Sequence, residues 1–242
     1  MMIRLGLAAA VVGPGDTVIA SAVALPYPPE FGWISMVLVD VAWRRRGLAT
    51  SLLERAIAEL QDRGLVPCLD ATPAGQPVYE RMGFRPVEPL TRWRRHGDTP
   101  LAEMAAPSDL GRLDDIRGLD ENAFGADRSA VLSDLLSRRG SRCLCDPGRQ
   151  GFLLARAGRK AAYIGPVVAT DAALAIKLIE TALAAPEGPT LIDVPDRESE
   201  VADLLLSRGF SRERPFIRMA IGRMDGFGSP AAVRAIAGPE LG

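Results

Sequence analysis

The chain has 242 residues, a formal net charge of −1 and 48% hydrophobic residues, enough for one large core or two ordinary ones. The near-neutral balance excludes a strongly basic nucleic-acid binder and an acidic tail. Three cysteines and one histidine are too few for a disulfide framework or a Cys/His metal site, and no apolar run is long enough for a membrane helix.

Two apolar runs open the chain. Residues 5–12 follow a single arginine and resemble a weak secretion signal. However, Gly13-Pro14-Gly15-Asp16 is turn chemistry and residues 17–25 are again apolar and β-prone, so a hairpin accounts for both runs. Strands are expected over 6–12, 18–25 and 33–39. A helix over 48–63 follows from Leu48, Leu52, Ala56 and Leu60 spaced by four, with Glu59 and Arg63 paired on its wet side and Gly64 as its stop. A buried strand over 66–69, a turn at 72–75, a short helix over 77–82 closed by Gly83, and a strand from Phe84 complete the first half. A polar stretch over 94–99 ends at Pro100. Beyond it the pattern gives a strand over 101–106, helices over 108–124 and 128–138, and a strand over 142–145. On that strand Cys143 and Cys145 point the same way and, like Cys68, read as free buried thiols. Strands over 152–155 and 162–168, a helix from Asp171 to Leu183, a strand over 191–194, a helix over 198–208 and a closing Gly209-Phe210 come next. A Gly/Pro/Ala-rich tail begins at Asp225.

The chain matches itself. Residues 48–84 shifted by 126 fall on 174–210 without a gap, and Leu48, Ala49, Leu52, Glu54, Ala56, Ala58, Leu65, Asp70, Gly83 and Phe84 meet identical residues. That is an internal duplication. The expected division is 1–98, 99–223 and a tail over 224–242. Carried back by the same offset, the strand over 101–106 and the helix over 108–124 fall before Met1, and the helix over 128–138 falls on residues 2–12, which read as a strand. The first repeat is therefore expected to lack them, through a misplaced start or a true truncation. One face of its sheet would then need cover from the second repeat, the tail or another subunit, which leaves a homodimer open.

The chemistry gathers where the strand ending at Val39 runs into the helix at Leu48. Arg44, Arg45 and Arg46 precede Gly47, and the amides of Leu48, Ala49 and Thr50 are the first of the helix. Such amides lack internal partners and, with the helix dipole, attract anions. Gly47 lets a ligand approach the backbone, and the arginines add charge for a polyphosphate. Taken alone, the same turn reads as a solvated charged loop, which is a common feature.

Arg44-x-x-Gly47-x-Ala49, following that strand, resembles the acyl-CoA signature of the GNAT N-acetyltransferase superfamily. Val78-Tyr79-Glu80-Arg81-Met82-Gly83-Phe84 resembles the same superfamily's later motif, at its usual separation. The resemblance covers residues 5–95. The second repeat resembles the C-terminal domain of tandem GNAT proteins, with 163–168 and 218–220 as its strands. The resemblance implies two tandem GNAT-like α/β (α+β) domains with mixed, mainly antiparallel sheets flanked by helices, the first truncated at its N-terminus. It implies a cytoplasmic enzyme that moves an acetyl group from acetyl-CoA to a primary amine of a small molecule or protein, with no metal. The pyrophosphate would lie on the loop of Arg44, Arg45, Arg46, Gly47, Leu48, Ala49 and Thr50, and the pantetheine arm along Val37, Leu38 and Val39, where two strands splay. Tyr79 would protonate the leaving thiolate, a role a phenol can fill; on chemistry alone it reads equally as a packed aromatic.

Several matters stay open in the sequence. Asp40 and Asp70 are both candidates for the general base, and His96 reads as a surface residue. In the second repeat Thr170, Ala173 and Leu205 stand where Arg44, Gly47 and Tyr79 stand in the first. Asp171 is placed to cap its own helix, so this repeat is expected not to bind CoA in the standard way and to serve as scaffold. The alternative is a non-catalytic acyl-CoA-binding or regulatory tandem GNAT protein. The run Arg92–Arg95 has no basic domain behind it to support RNA binding.

Overall fold

The computed structural model describes residues 6–97, 112–158, 160–184 and 188–242. Among them, in chain order, are β1 (Leu7–Val12), β2 (Val18–Tyr27), β3 (Phe31–Val39), α1 (Leu48–Gln61), β4 (Val66–Ala71), α2 (Gln76–Arg81) and β5 (Arg85–Arg95). Next come α3 (Leu113–Phe124), α4 (Ser129–Ser137), β6 (Arg142–Cys145), β7 (Gly151–Arg156) and β8 (Ala162–Ala169). The chain ends with α5 (Ala172–Leu183), β9 (Thr190–Pro195), α6 (Ser199–Ser207), β10 (Phe210–Ala220) and β11 (Val233–Ala235). The elements follow the periodicity of the sequence. The strand expected over 101–106 and the first residues, 108–111, of the helix expected over 108–124 lie outside the described residues.

Two compact units are formed, Met1–Val87 with Arg218–Met224 and Pro239–Gly242, and Glu88–Ile217 with Asp225–Gly238. In the first, β1, β2 and β3 pair antiparallel and β4 pairs parallel to β3. Helix α1 buries Leu52, Leu53, Ala56 and Leu60, the four-residue stripe its sequence displays, against β2 and β3. Val37, Val39 and Leu48 pack into the same cluster. The opposite face of this sheet leaves Ala8, Ala10 and Leu38 exposed.

In the second unit the strand order is β10-β5-β9-β8-β7-β6, with β11 joined to β8. Helices α5 and α6 close a core of Leu153, Ile164, Val167, Ala175, Ile179, Ile192, Val201 and Leu205, while α3 and α4 pack on β7. Asp120 and Arg128 form a nearly fully buried ion pair at 2.8 Å between the two front helices, and Arg128 lies 3.8 Å over the Phe124 ring.

The units do not follow the linear order of the repeats. Strand β5, the last of the first repeat, pairs with β9 inside the second unit over Leu90–Arg95. The end of β10, the last of the second repeat, belongs to the first unit, where Ile221 N–H donates to Pro67 O at 3.1 Å. Matching ion pairs fix both strands. Arg218 makes a two-point contact with Asp70 at 3.0 and 3.1 Å, and Arg92 makes one with Asp193 at 2.7 and 2.6 Å. Arg92 and Arg218 stand one repeat offset, 126 residues, apart. The tail is tied down as well: Trp33 Nε1 donates to Pro239 O and the Tyr27 hydroxyl to Leu241 O, both at 2.9 Å.

Candidate active site

The site begins with an edge left open. Strand β3 is paired along its length by β2 on one side, but β4 accompanies it on the other only over Phe31–Trp33. From Ile34 to Val39 the backbone of β3 has no partner strand on that side among the described residues. The parting coincides with a bulge. Met36 takes a φ of +52°, the register with β2 shifts between Ser21 and Val23, and the Ser21 hydroxyl donates to Met36 O at 3.0 Å. A bulge bends its strand and increases the local twist, which carries β3 away from β4. Val37, Leu38 and Val39 therefore lie on a stretch of β3 whose second edge has no partner strand among the described residues, the geometry an extended amide-bearing chain requires.

At the end of β3, Asp40 accepts from Ala42 N–H at 2.9 Å and so caps a single helical turn over Val41–Trp43. Arg44 donates through Nε to Val39 O at 3.3 Å, and Arg46 lies 4.7 Å over the Trp43 ring. Arg45 has a φ of +63° and Gly47 of +79°. Gly47 stands at the N-cap of α1 with no side-chain cap, and a Cβ built there meets nothing within 4 Å. The first amides of α1 at Leu48, Ala49 and Thr50 thus end a helix with its positive dipole end facing an open, arginine-rich loop.

Strands β3 and β4 are parallel, so the segments that follow them leave the sheet at the same edge, where open α/β sheets place their sites. After β3 comes the arginine loop; after β4 come the turn at 72–75 and α2. Tyr79, on α2, is half-buried and meets the Phe84 ring edge-on at 6.0 Å. Burial raises its pKa above the ordinary tyrosine value, which keeps the phenol protonated and able to donate. No hydrogen bond of its hydroxyl is found among the described residues. A Cβ at Gly75 would stand 2.9 Å from Tyr79 Cε2, so Gly75 makes room for the ring. In the sequence Gly75 reads only as part of a turn.

The base candidates part ways. The Asp70 side chain is fully buried and held by Arg218, which stacks 4.6 Å over Trp33, so Asp70 serves to close the unit. Asp40 is exposed and engaged as a cap. His96 is exposed. Cys68 is buried with its thiol pushed up to about 12, chiefly by desolvation, which makes it inert. Cys143 and Cys145 form no disulfide, their sulfurs lying 3.7 Å apart, and Cys145 is only half-buried where the sequence reads a buried thiol. In the run Arg92–Arg95, Trp93 is buried and Arg92 and Arg94 are bonded to Asp193 and Glu213. A cleft of about 210 Å³ in the first unit, lined by Ala9, Ala22, Arg55 and Glu59 among others, contains none of the loop residues. No described helix is long and apolar enough to cross a membrane.

In the second repeat, Asp171 accepts from Leu174 N–H at 2.8 Å and caps α5. One of the end amides, which α1 leaves uncapped, is here taken up by the chain's own carboxylate. Only residues 170–171 separate β8 from α5, against 40–47 between β3 and α1. The loop itself is missing, which a gapless comparison of the repeats conceals.

Comparison with known proteins bears on the family and the fold. The sequence model of the Acetyltransferase (GNAT) family matches residues 6–84, and that of an Acetyltransferase (GNAT) domain matches 116–226. The chain is 27% identical over 190 residues to the uncharacterized N-acetyltransferase YitH of Bacillus subtilis (strain 168), covering 74% of this chain and 66% of that protein. It is 36% identical over 97 residues to an uncharacterized N-acetyltransferase of Streptomyces avermitilis, covering 38% of this chain and 22% of that one. The chain thus spans less than two thirds of either relative. Among solved structures, an acetyltransferase-family protein of Pyrococcus horikoshii superposes with a TM-score of 0.77 at 23% identity, covering 94% of this chain and 78% of that one. A GCN5-related N-acetyltransferase of Sphaerobacter thermophilus gives 0.57 at 18% identity, covering 88% and 79%. At these identities the structural likeness speaks for the fold.

Proposed function

Because the chain belongs to the GNAT superfamily and carries two GNAT domains in tandem, we propose that its first repeat is an acetyl-CoA-dependent N-acetyltransferase and that its second takes no acyl-CoA. One observation carries the reading. The uncapped N-terminus of α1 and the unpaired edge of β3 meet at one end of the same unit, and together they fit a diphosphate followed by an amide-bearing arm. Acetyl-CoA would supply the activated acyl group. Leu48, Ala49 and Thr50 would hold the diphosphate through their amides, with Arg44, Arg45 and Arg46 adding charge. The backbone at Val37, Leu38 and Val39 would align the arm. Tyr79, kept neutral by burial, would give its proton to the departing sulfur as a primary amine of a small molecule or protein takes the acetyl group. The reading uses no metal. It places the protein in a reducing cytoplasm, where its three thiols persist.

A panel of primary amines with acetyl-CoA, followed by thiol release, tests this. Turnover with any amine that stops in Tyr79→Phe supports it. A second reading, an acyl-CoA-binding regulator, draws on Asp70: its bond to Arg218 leaves the end of β4 without a free carboxylate base. Tight acetyl-CoA binding with no turnover across the panel would favour that reading.

A further inference from the structure

The second repeat has the same open-edge architecture as the first, yet its edge is filled. Strand β8 pairs with β7 on one side from Arg156 to Gly151. On the other side it pairs with β9 only over Ala162–Ile164, just as β3 pairs with β4 only over Phe31–Trp33. Past that point β11 takes the vacated edge. Val233 lies across from Val168 and Ala235 across from Val167, and Ile236 N–H donates to Asp193 O of β9 at 3.0 Å. A stretch that reads in sequence as a Gly/Pro/Ala-rich tail is therefore a strand set between β8 and β9. Ala235, Ile236 and Ala237 are 0–1% exposed.

The slot is shaped for this occupant. Arg234 donates through Nε to Ala169 O at 3.2 Å and through Nη2 to Thr170 O at 3.1 Å, and pairs through Nη1 with Glu198 at 2.9 Å. These carbonyls lie at the end of β8 and in the short turn that replaces the arginine loop. Arg156, itself buried and stacked 4.0 Å over Tyr163, bridges Gly165 O at 2.9 Å and Ala237 O at 2.7 Å. Arg197 holds the Pro230 and Val233 carbonyls. A Cβ at Gly165 would lie 2.1 Å from Ile236 O, so the close approach of the tail requires glycine there.

We propose that the second repeat is a peptide-strand receptor, with residues 230–237 as its resident ligand carried on the same chain. The class of ligand is an extended peptide with small apolar residues and one arginine that reaches the turn after β8. The idea rests on the reading of the first repeat only in identifying the slot as the counterpart of an acyl-CoA arm site.

The test uses the full-length chain and its Arg234→Glu variant, with site-resolved hydrogen exchange. In the native chain the Ile236 amide is protected together with the core of the second unit. In the variant it exchanges about tenfold faster or more, since a charge-assisted bond has become a repulsion with Glu198, while amides of β2 and β3 keep their protection. A synthetic peptide of residues 228–238 then binds the variant at one equivalent and does not bind the native chain; the same peptide with glutamate in place of its arginine binds neither. Exchange at Ile236 as fast as in a free peptide in the native chain, unchanged protection in the variant, or equal binding of the native peptide to both chains would each overturn the proposal. Two equivalents of acetyl-CoA per native chain would also overturn it. Finding no acetyl-CoA bound at all defeats the reading of the first repeat alone, and the exchange and peptide results still decide this one.

Discussion

The first repeat leaves a strand edge and a helix end open to solvent; the second closes both from within. Strand β3 parts from β4 after Trp33, and β8 parts from β9 after Ile164. In one case the parted edge stays free, in the other β11 pairs with it. Helix α1 starts uncapped at Gly47, whereas α5 starts under the carboxylate of Asp171. The buried positions shared by the repeats, such as Leu52 with Leu178 and Ala56 with Ala182, maintain the scaffold in both. The length of one loop and the occupant of one edge separate the proposed ligand site from a structural joint. Fold and site are thus specified by different residues, and one can be lost without the other.

The comparison breaks most readily at Tyr79. Removing a positioned acid costs about 10²–10⁴-fold in rate, and Tyr79→Phe keeps the ring that meets Phe84. Initial rates should fall by that range while acetyl-CoA affinity, read by calorimetry, holds. Burial raises the Tyr79 pKa, so the acid form survives to higher pH than that of an ordinary tyrosine, whose pKa is about 10. The alkaline fall in native kcat should accordingly lie above that value. Full activity in Tyr79→Phe would leave the two repeats equally without an acid.

The second-largest effect is expected on stability and concerns the strand exchange. Asp70→Asn removes one partner from a pair whose carboxylate is fully buried, a loss of about 3–5 kcal/mol when the other charge is stranded. Asp193→Asn should act on the second unit by a similar amount, since Arg92 holds it in the same way and the Tyr163 hydroxyl adds a 2.6 Å bond. Denaturant unfolding measures both. A loss below 1 kcal/mol at Asp70 would mean that β10 is held by its ladder and not by Arg218.

These two sites also mark the limit of what the sequence displays. Helix α1 is legible because its stripe repeats every four residues, and the arginine loop because glycine and cations stand together at a strand-to-helix junction. The closing glycines Gly83 and Gly209 read correctly as stops, with φ of +94° and +78°. The partners of Arg92 and Arg218 are not legible, since each could pair with the strand of its own repeat, and nothing periodic says that the last strands exchange. The bulge at Met36 has no glycine to announce it. Strand β11 is three residues long, and its edge pairing depends on a slot that exists only after β8 and β9 have parted. Long-range edge complementarity leaves no local signature.

A smaller effect sharpens the contrast at the loop. Gly47→Val places a β-branched residue at a φ of +79°, a strain of about 1–2 kcal/mol, and puts methyl groups where a ligand would approach the α1 amides. Acetyl-CoA affinity should fall about tenfold or more, a loss that a strain common to the free and the bound chain does not produce. Ala173→Val, at the position one repeat offset away, should leave affinity unchanged because that residue lies within α5, past its capped start. Equal losses from the two substitutions, measured by calorimetry, would erase the distinction between the repeats.

The smallest effect separates a cap from a blocked site. Asp171 satisfies the Leu174 amide, and its loss in Asp171→Ala should cost about 1 kcal/mol, seen as a modest fall in the unfolding midpoint of the second unit. If that carboxylate were all that kept a polyphosphate away, the variant would gain a second equivalent of acetyl-CoA. The turn over 170–171 is too short to surround a diphosphate, and Arg234 already occupies the Ala169 and Thr170 carbonyls beside it. The uncapped amides would therefore face water. The expected titration is one equivalent per chain in both the native protein and the variant. A second equivalent in Asp171→Ala would make the aspartate the barrier and would reduce the short turn and the inserted strand to bystanders.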